Sequence, residues 1–284
     1  MGEFMLHSVD LGDFMLHDPI TILPEDVLST AVDLIIDRKV SGLCVTDKND
    51  ALLGILSEMD CLSAGLNQTR SDDFLSDAMV SEHMFSKPIT IHKDEELYTA
   101  IKKIIEHRIS GVCVVDKYGA LVGILSEMDC LKAVLSAIYN DQRETDKVSA
   151  HMTKKVESCE PHSNLETVAA DMLEKGRRRR PVVSNGRLVG QVTCRQILSA
   201  ISQRGWDEDD FTPYMTDSIE YCTIGEDVVT VAKDMLTKGR RRRPVLSEEK
   251  LVGQITCRQL LRVVSEFNRN QVAGNFDPLY RDLL

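Results

Sequence analysis

The chain has 284 residues, 45 of them acidic and 34 lysine or arginine, and a formal net charge of −11. That balance weighs against a general nucleic-acid binder, which carries a basic footprint, and a 5% aromatic content leaves few platforms for base stacking. No apolar run of about 18 residues exists and no basic-then-apolar leader opens the chain, so neither a membrane span nor secretion is expected, and a cytoplasmic location is.

Two sequence blocks each occur twice. SGLCVTDKNDALLGILSEMDCL (41–62) returns as SGVCVVDKYGALVGILSEMDCL (110–131). DMLEKGRRRRPVVSNGRLVGQVTCRQIL (171–198) returns as DMLTKGRRRRPVLSEEKLVGQITCRQLL (234–261). Repeats of this length indicate one supersecondary unit stacked on its own copies, with function expected between units.

The first unit spans about 15–66. PITI (19–22) reads as a strand, and a polar turn opens at Pro24. Leu28, Ala31, Leu34 and Ile35 follow at helical spacing through Arg38, with Gly42 as the expected stop. LCVTD (43–47) and ALLGIL (51–56) read as two strands around a KND turn, and Ser57 opens a short helix to about Leu62. The order is strand–helix–strand–strand–helix. The second unit (about 84–138), the third (about 152–202) and the fourth (about 215–268) keep it, and Met15, Met84, Met152 and Met215 precede the four first strands. A mixed α/β fold is expected.

Polar connectors separate the units: residues 67–80, 141–149 and 203–213. Trp206 lies in the last of these, where it either packs across the two halves or caps a site mouth. The tail, 269–284, either docks or stays disordered. GEFMLHS (2–8) is echoed by GDFMLHD (12–18). All eight cysteines fall at repeat positions and none has zinc-ligand spacing, so they read as small buried hydrophobes in a reducing compartment.

GILSEMD (54–60 and 123–129) delivers Ser57 or Ser126 from a strand to a helix start, where free N–H groups and the helix dipole favour a phosphate. Asp60 and Asp129, three residues on, could accept hydrogen bonds from two ribose hydroxyls. The same spacing also suits an ordinary helix cap. At the matching places stand Thr193 with Gln196 and Thr256 with Gln259, which satisfy a capping box and lack the carboxylate. Capping is therefore expected in all four units and ribose contact only in the first two.

GRRRRPV (176–182 and 239–245) puts four arginines before a strand. Strand alternation lets at most two of each run face one cleft. Guanidinium suits bidentate phosphate binding, and a solvated face or interdomain salt bridges are the alternative uses. The seven histidines accompany no nucleophile or acid pair, and no Walker or dinucleotide loop is present. No catalytic or metal-binding residue is assigned.

With PITI, SGLCVTD, SGVCVVD, the ending GIL-Ser-x-x-Asp, and RRRRPV followed by LVGQVT or LVGQIT, the chain resembles cystathionine-β-synthase (CBS) domains, in four copies over nearly its whole length. The resemblance implies two CBS pairs, 1–140 and 141–268, each packed about a pseudo-twofold axis. It implies a non-catalytic regulatory role, with AMP, ADP, ATP or another adenosine ligand bound between units and no cofactor required. It places Ser57, Ser126, Thr193, Thr256, Arg178, Arg179, Arg241 and Arg242 toward phosphate, and Asp60 and Asp129 toward ribose. It places Ile20, Val40, Ser41, Ile89, Ile109 and Ser110 around adenine. Output would pass to a regulated partner protein, and a homodimer is one assembly it allows.

Two departures stand out. Cys44 and Cys113 replace a proline common in the family, and Gln196 and Gln259 replace the ribose aspartate. Pairing of consecutive units is expected. Pairing the second unit with the third, and the first with the fourth, is the alternative that the order of unit types suggests. A ligand-independent interaction module and nucleic-acid binding through the arginine runs remain as rival functions.

Overall fold

A helix with apolar residues at i, i+3, i+4 and i+7 must cover that stripe, and each of the four units presents one. The computed structural model describes residues 10–67, 75, 77–137, 146–204, 206 and 211–273. Unit 1 contains β1 (Thr21–Ile22), α1 (Leu28–Asp37), β2 (Gly42–Thr46), β3 (Leu52–Ser57) and α2 (Glu58–Asn67). The one-turn helix α3 (Val80–His83) leads into unit 2, with β4 (Thr90–His92), α4 (Leu97–Glu106), β5 (Gly111–Val115), β6 (Leu121–Ser126) and α5 (Glu127–Ala137). A second one-turn helix, α6 (Val148–His151), leads into unit 3, with α7 (Leu165–Glu174), β7 (Arg179–Ser184), β8 (Arg187–Thr193) and α8 (Cys194–Arg204). Unit 4 contains β9 (Cys222–Thr223), α9 (Val228–Thr237), β10 (Arg242–Ser247), β11 (Lys250–Thr256) and α10 (Cys257–Ala273).

The buried stripes repeat position by position. They are Leu28, Ala31, Val32 and Ile35 in α1, and Leu97, Ala100, Ile101 and Ile104 in α4. They are Leu165, Val168, Ala169 and Met172 in α7, and Val228, Val231, Ala232 and Met235 in α9. In every unit an antiparallel hairpin follows, and its first strand also pairs in parallel with the segment before the helix. In unit 3 that segment is reduced to a single bridge, Cys159 to Val182.

Two expectations at unit 1 are corrected. The α1 helix stops at a left-handed residue, Lys39 (φ 55°), and not at Gly42. Gly42 opens β2 instead, where a Cβ would meet the Leu56 carbonyl oxygen at 2.8 Å. Units 3 and 4 place glycine at the helix stop, Gly176 and Gly239. The second helix, α2, continues past Leu62 to Asn67, because Leu62, Ala64 and Gly65 are buried with Cys61. Likewise α10 continues to Ala273, into the segment read as tail; residues 274–284 and the echo at 2–8 lie outside the described residues.

Two different surfaces join the units. Sheet edges join unit 1 to unit 2 through bridges Ala51–Ala120, Ile55–Phe85 and Leu16–Ile124. Unit 3 meets unit 4 through Thr153–Gln254, Gln191–Thr216 and the Lys250–Arg187 pair that fuses their hairpins into one five-stranded sheet. Helices join the halves crosswise. The α2 helix packs on α7 and α8, and α5 packs on α9 and α10. Units 1 and 3 therefore share one apolar core and units 2 and 4 share the other.

The segment before each unit packs into its neighbour. Leu11, ahead of unit 1, is buried in the core of unit 2, and Val80, ahead of unit 2, in the core of unit 1. Val148, ahead of unit 3, is buried with unit 4, and Phe211, ahead of unit 4, with unit 3.

Candidate ligand-binding site

Each hairpin ends by turning directly into a helix, and a side chain three residues on closes each of the four turns, with the full reciprocal capping box in units 2, 3 and 4. In unit 1 the Ser57 N–H and Oγ both donate to Asp60 Oδ2, at 2.7 Å each. In unit 2 the Ser126 N–H and Oγ donate to Asp129 Oδ2 at 2.9 and 2.6 Å. Thr193 donates in the same way to Gln196 Oε1, and Thr256 to Gln259 Oε1. The next N–H in each helix is also taken: Glu58 donates to the Ser41 carbonyl, Glu127 to Ser110, Cys194 to Arg178 and Cys257 to Arg241. The helix starts thus hold fewer open donors than the sequence suggests. The four hydroxyls expected at phosphate already give their protons to a cap.

The third capping position separates the two pairs. Gln196 carries a second function, because its Nε2 donates to the Tyr214 carbonyl and to Thr216 Oγ1 (3.1 Å) in unit 4. Gln259 Nε2 reciprocates onto the His151 carbonyl (2.8 Å) and Thr153 Oγ1 (3.2 Å) before unit 3. Asp60 and Asp129 have no donor to spend in that way. Their Oδ1 atoms have no hydrogen-bond partner among the described residues. Units 1 and 2 keep an acceptor available where units 3 and 4 use a crosslink.

The arginine runs divide by strand alternation. Arg180 and Arg243 point into the fold, where Arg180 is 1% exposed and ion-paired to Asp171, and Arg243 is paired to Asp234. Arg180 Nε donates to Asp171 Oδ2 at 2.9 Å. Arg177 lies against Glu157. Arg178, Arg179, Arg241 and Arg242 instead gather near the first residues of α2 and α5, Glu58 and Glu127.

Both glutamates are buried. Burial pushes each carboxyl up, while nearby arginines pull it down: Arg178, Arg195, Arg179 and Arg241 at Glu58, and Arg241, Arg258, Arg242 and Arg178 at Glu127. Burial, with Arg179 and Arg177 alongside, lowers the Arg242 guanidinium to about 10. Six arginines around two carboxylates leave an excess of positive charge. Both halves build this centre: units 1 and 2 supply the acids, and units 3 and 4 the guanidinium groups.

Sequence reasoning missed four of these residues. Glu58 and Glu127 follow the cap serines, and Arg195 and Arg258 hold the corresponding late position in the TCRQ words. Arg258 Nη1 donates to the Arg108 carbonyl at 2.6 Å, and Arg195 Nη1 approaches the Val40 carbonyl at 3.5 Å. Both contacts run from the second half to the loop that carries the expected adenine-contact residues. The doubled SEMD and TCRQ words were the available signal. The expected adenine residues Ile20, Val40, Ile89 and Ile109 are half-buried against the two cores, and Ser41 and Ser110 adjoin them. Trp206 packs across the halves, its Nε1 donating to the Gly65 carbonyl at 3.2 Å.

Among the described residues no group of three or more His, Cys, Asp or Glu is placed to hold a metal ion, and no helix is long and apolar enough to cross a membrane. The fold and the shared charged centre define a tandem-repeat α/β protein built for contact between units. The chain belongs to the CBS-domain family, whose model matches residues 11–67, 80–136, 148–203 and 209–266. It is 25% identical over 271 residues to protein MJ1225 of Methanocaldococcus jannaschii, 86% of this chain and 94% of that protein. The crystal structure of MJ1225 aligns with a TM-score of 0.79 at 23% identity, over 89% of this chain and 99% of that one. A conserved protein from Pyrococcus horikoshii aligns at a TM-score of 0.60 and 21% identity, over 90% of this chain and all of that one (100%). The inosine-5'-monophosphate dehydrogenase of Nitrosopumilus maritimus is 27% identical over 164 residues, 57% of this chain and 32% of the enzyme.

Proposed function

We propose that this protein is a non-catalytic regulatory sensor that binds an adenosine-containing nucleotide between units 1 and 2. The observation that carries this reading is the open Oδ1 of Asp60 and Asp129, on the same two helices that present Glu58 and Glu127 to the arginine cluster. A carboxylate oxygen suits adjacent ribose hydroxyls, and guanidinium groups suit phosphate oxygens.

In this reading Arg178, Arg179, Arg241 and Arg242 receive the phosphates. Ile20, Val40 and Ser41, or Ile89, Ile109 and Ser110, flank the base. Ser57, Ser126, Thr193 and Thr256 would reach phosphate only by giving up cap geometry, so their part is secondary. Residues 1–140 and 141–268 act as two modules, and binding shifts one relative to the other. A partner protein reads that shift, and the eight free thiols fit a cytoplasmic setting.

The test is thermal unfolding of ligand-stripped protein with AMP, ADP, ATP and S-adenosylmethionine, and with guanine nucleotides as controls. A ligand binding only the folded state at a hundredfold excess over its Kd adds about 2.7 kcal/mol. The expected result is a selective rise with one adenosine ligand, lost in Asp60→Asn plus Asp129→Asn. No rise with any of them would transfer the assignment to a ligand-independent interaction module.

A further inference from the structure

Cys44 and Cys113 occupy equivalent places in β2 and β5, opposite Ile55 and Ile124 on the adjoining hairpin strands. The contact between units 1 and 2 brings them together: their sulfur atoms lie 3.8 Å apart, and the two residues are only 2% and 3% exposed. The matching residues of units 3 and 4 are Pro181 and Pro244, opposite Gln191 and Gln254. At this place in the hairpin, units 1 and 2 carry thiols and units 3 and 4 do not.

We infer that Cys44 and Cys113 form a reversible dithiol–disulfide modification site, oxidised by a small peroxide, that staples unit 1 to unit 2. One thiol loses its proton and its sulfur attacks a peroxide oxygen; the O–O bond breaks, the leaving hydroxide takes up that proton, and a sulfenic acid and water form. The second thiol then attacks that sulfur, the S–O bond breaks, and a disulfide and a second water result. Overall two S–H bonds are lost, one S–S bond forms, and hydrogen peroxide is reduced to two waters. Return to the dithiol takes a reduced thiol, by exchange.

Two features support the site. The sulfurs are already in contact at 3.8 Å, so closure has to bring them nearer by only about 2 Å to reach the S–S bond length of roughly 2.0 Å. The contact with Cys113 draws the Cys44 thiol below its ordinary value against the opposing effect of burial, and Cys113 is raised in turn. The lowered thiol, Cys44, suits the attacking part and Cys113 the resolving part. Burial demands a small uncharged oxidant, which hydrogen peroxide is.

The bond would close a loop of 69 residues between the units. It would fix the hairpin contact that Ala51–Ala120 and Ile55–Phe85 make non-covalently. The inference stands apart from the nucleotide reading, since it requires no ligand.

The experiment treats the native full-length protein with hydrogen peroxide, blocks remaining thiols, digests without reductant and maps linked peptides by mass. The expected result is a Cys44–Cys113 peptide pair with two hydrogens lost, abolished by dithiothreitol and absent from Cys113→Ala. Oxidised protein should also show a higher denaturation midpoint than reduced protein. Linked peptides from any other cysteine pair would overturn the inference. So would oxidation of Cys159, the one cysteine that is not fully buried, while Cys44 and Cys113 remain alkylatable. Mapping of the wild-type chain decides the matter even if Cys113→Ala folds poorly.

Discussion

Met84 of unit 2 lies directly over Gly54 of unit 1: a Cβ built on that glycine would sit 2.9 Å from the Met84 sulfur and 2.8 Å from the Phe85 carbonyl oxygen. The contact recurs reciprocally. Met15 covers Gly123, Met215 covers Gly190 and Met152 covers Gly253. Each unit thus sends its methionine onto the second hairpin strand of its neighbour: β3, β6, β8 or β11. Gly54→Ala or Gly123→Ala should cost about 1–3 kcal/mol, the range for overpacking a filled interface. Chemical denaturation measures it. Gly54→Ala combined with Met84→Ala should recover part of the loss, and full additivity would mean the glycine is needed for another reason.

Arg180 is buried with one carboxylate, Asp171, as its salt-bridge partner. Asp171→Asn leaves that charge without its counter-ion and should cost about 3–5 kcal/mol. Replacing both, Arg180→Met with Asp171→Asn, should return much of the stability, because an apolar side chain of similar volume suits the site. Urea midpoints of the two single variants and the double variant check the coupling.

The same pair makes a signed pH prediction. Lys175, by a hydrogen bond, and Arg180 hold the Asp171 carboxyl below its ordinary value of 3.8, against the effect of burial. At Asp234, Arg243 and Lys238 outweigh burial in the same direction. A carboxyl lowered by folding binds protons more weakly in the folded state. Its stabilisation is present above pH about 3.9 and is lost as the pH falls through the lower folded value. Acid unfolding of Asp171→Asn should therefore show a shallower pH dependence below about 4 than wild type. An unchanged slope would remove Asp171 from the acid-labile set.

Asp60 has a structural and a proposed binding part, which two substitutions separate. Asp60→Asn keeps an oxygen for the Ser57 N–H, as Gln196 does for Thr193, and should change stability little. Asp60→Ala removes the acceptor and should cost about 1 kcal/mol, the value of a lost helix cap. Equal stability of the two variants would show that the cap contributes nothing measurable at this turn.

Trp206 is the only tryptophan in the chain, and it hydrogen-bonds to the Gly65 carbonyl at the end of α2. Its emission therefore reports on the contact between the connector of units 3 and 4 and unit 1. A ligand that reorients the halves should shift or quench that emission, in proportion to its thermal stabilisation. Constant emission at saturation would place the movement elsewhere.

Much of this fold is visible in the chain itself. The four helix faces, the hairpins and the caps at Ser57, Ser126, Thr193 and Thr256 all rest on spacing within a few residues, and local spacing is what a sequence displays. The division of the arginine runs was half legible: alternation limits how many reach one cleft, but nothing local says that Arg180 and Arg243 turn inward to Asp171 and Asp234.

What a sequence by itself determined here is therefore the unit: its element order, its apolar stripe, its cap and its four copies. What only the tertiary structure decided is how the copies meet. Near-identical words fit more than one neighbour equally well, so sequence pattern alone leaves the choice of partner degenerate. Contacts distant in sequence break that degeneracy: methionine over glycine, the exchanged Leu11, Val80, Val148 and Phe211, and the Gln196 and Gln259 amides that cross from unit to unit. The same meeting of units carries arginines from one half to the glutamates of the other, because burial of the helix faces of α2 and α5 against α7 through α10 leaves those charged ends no other place.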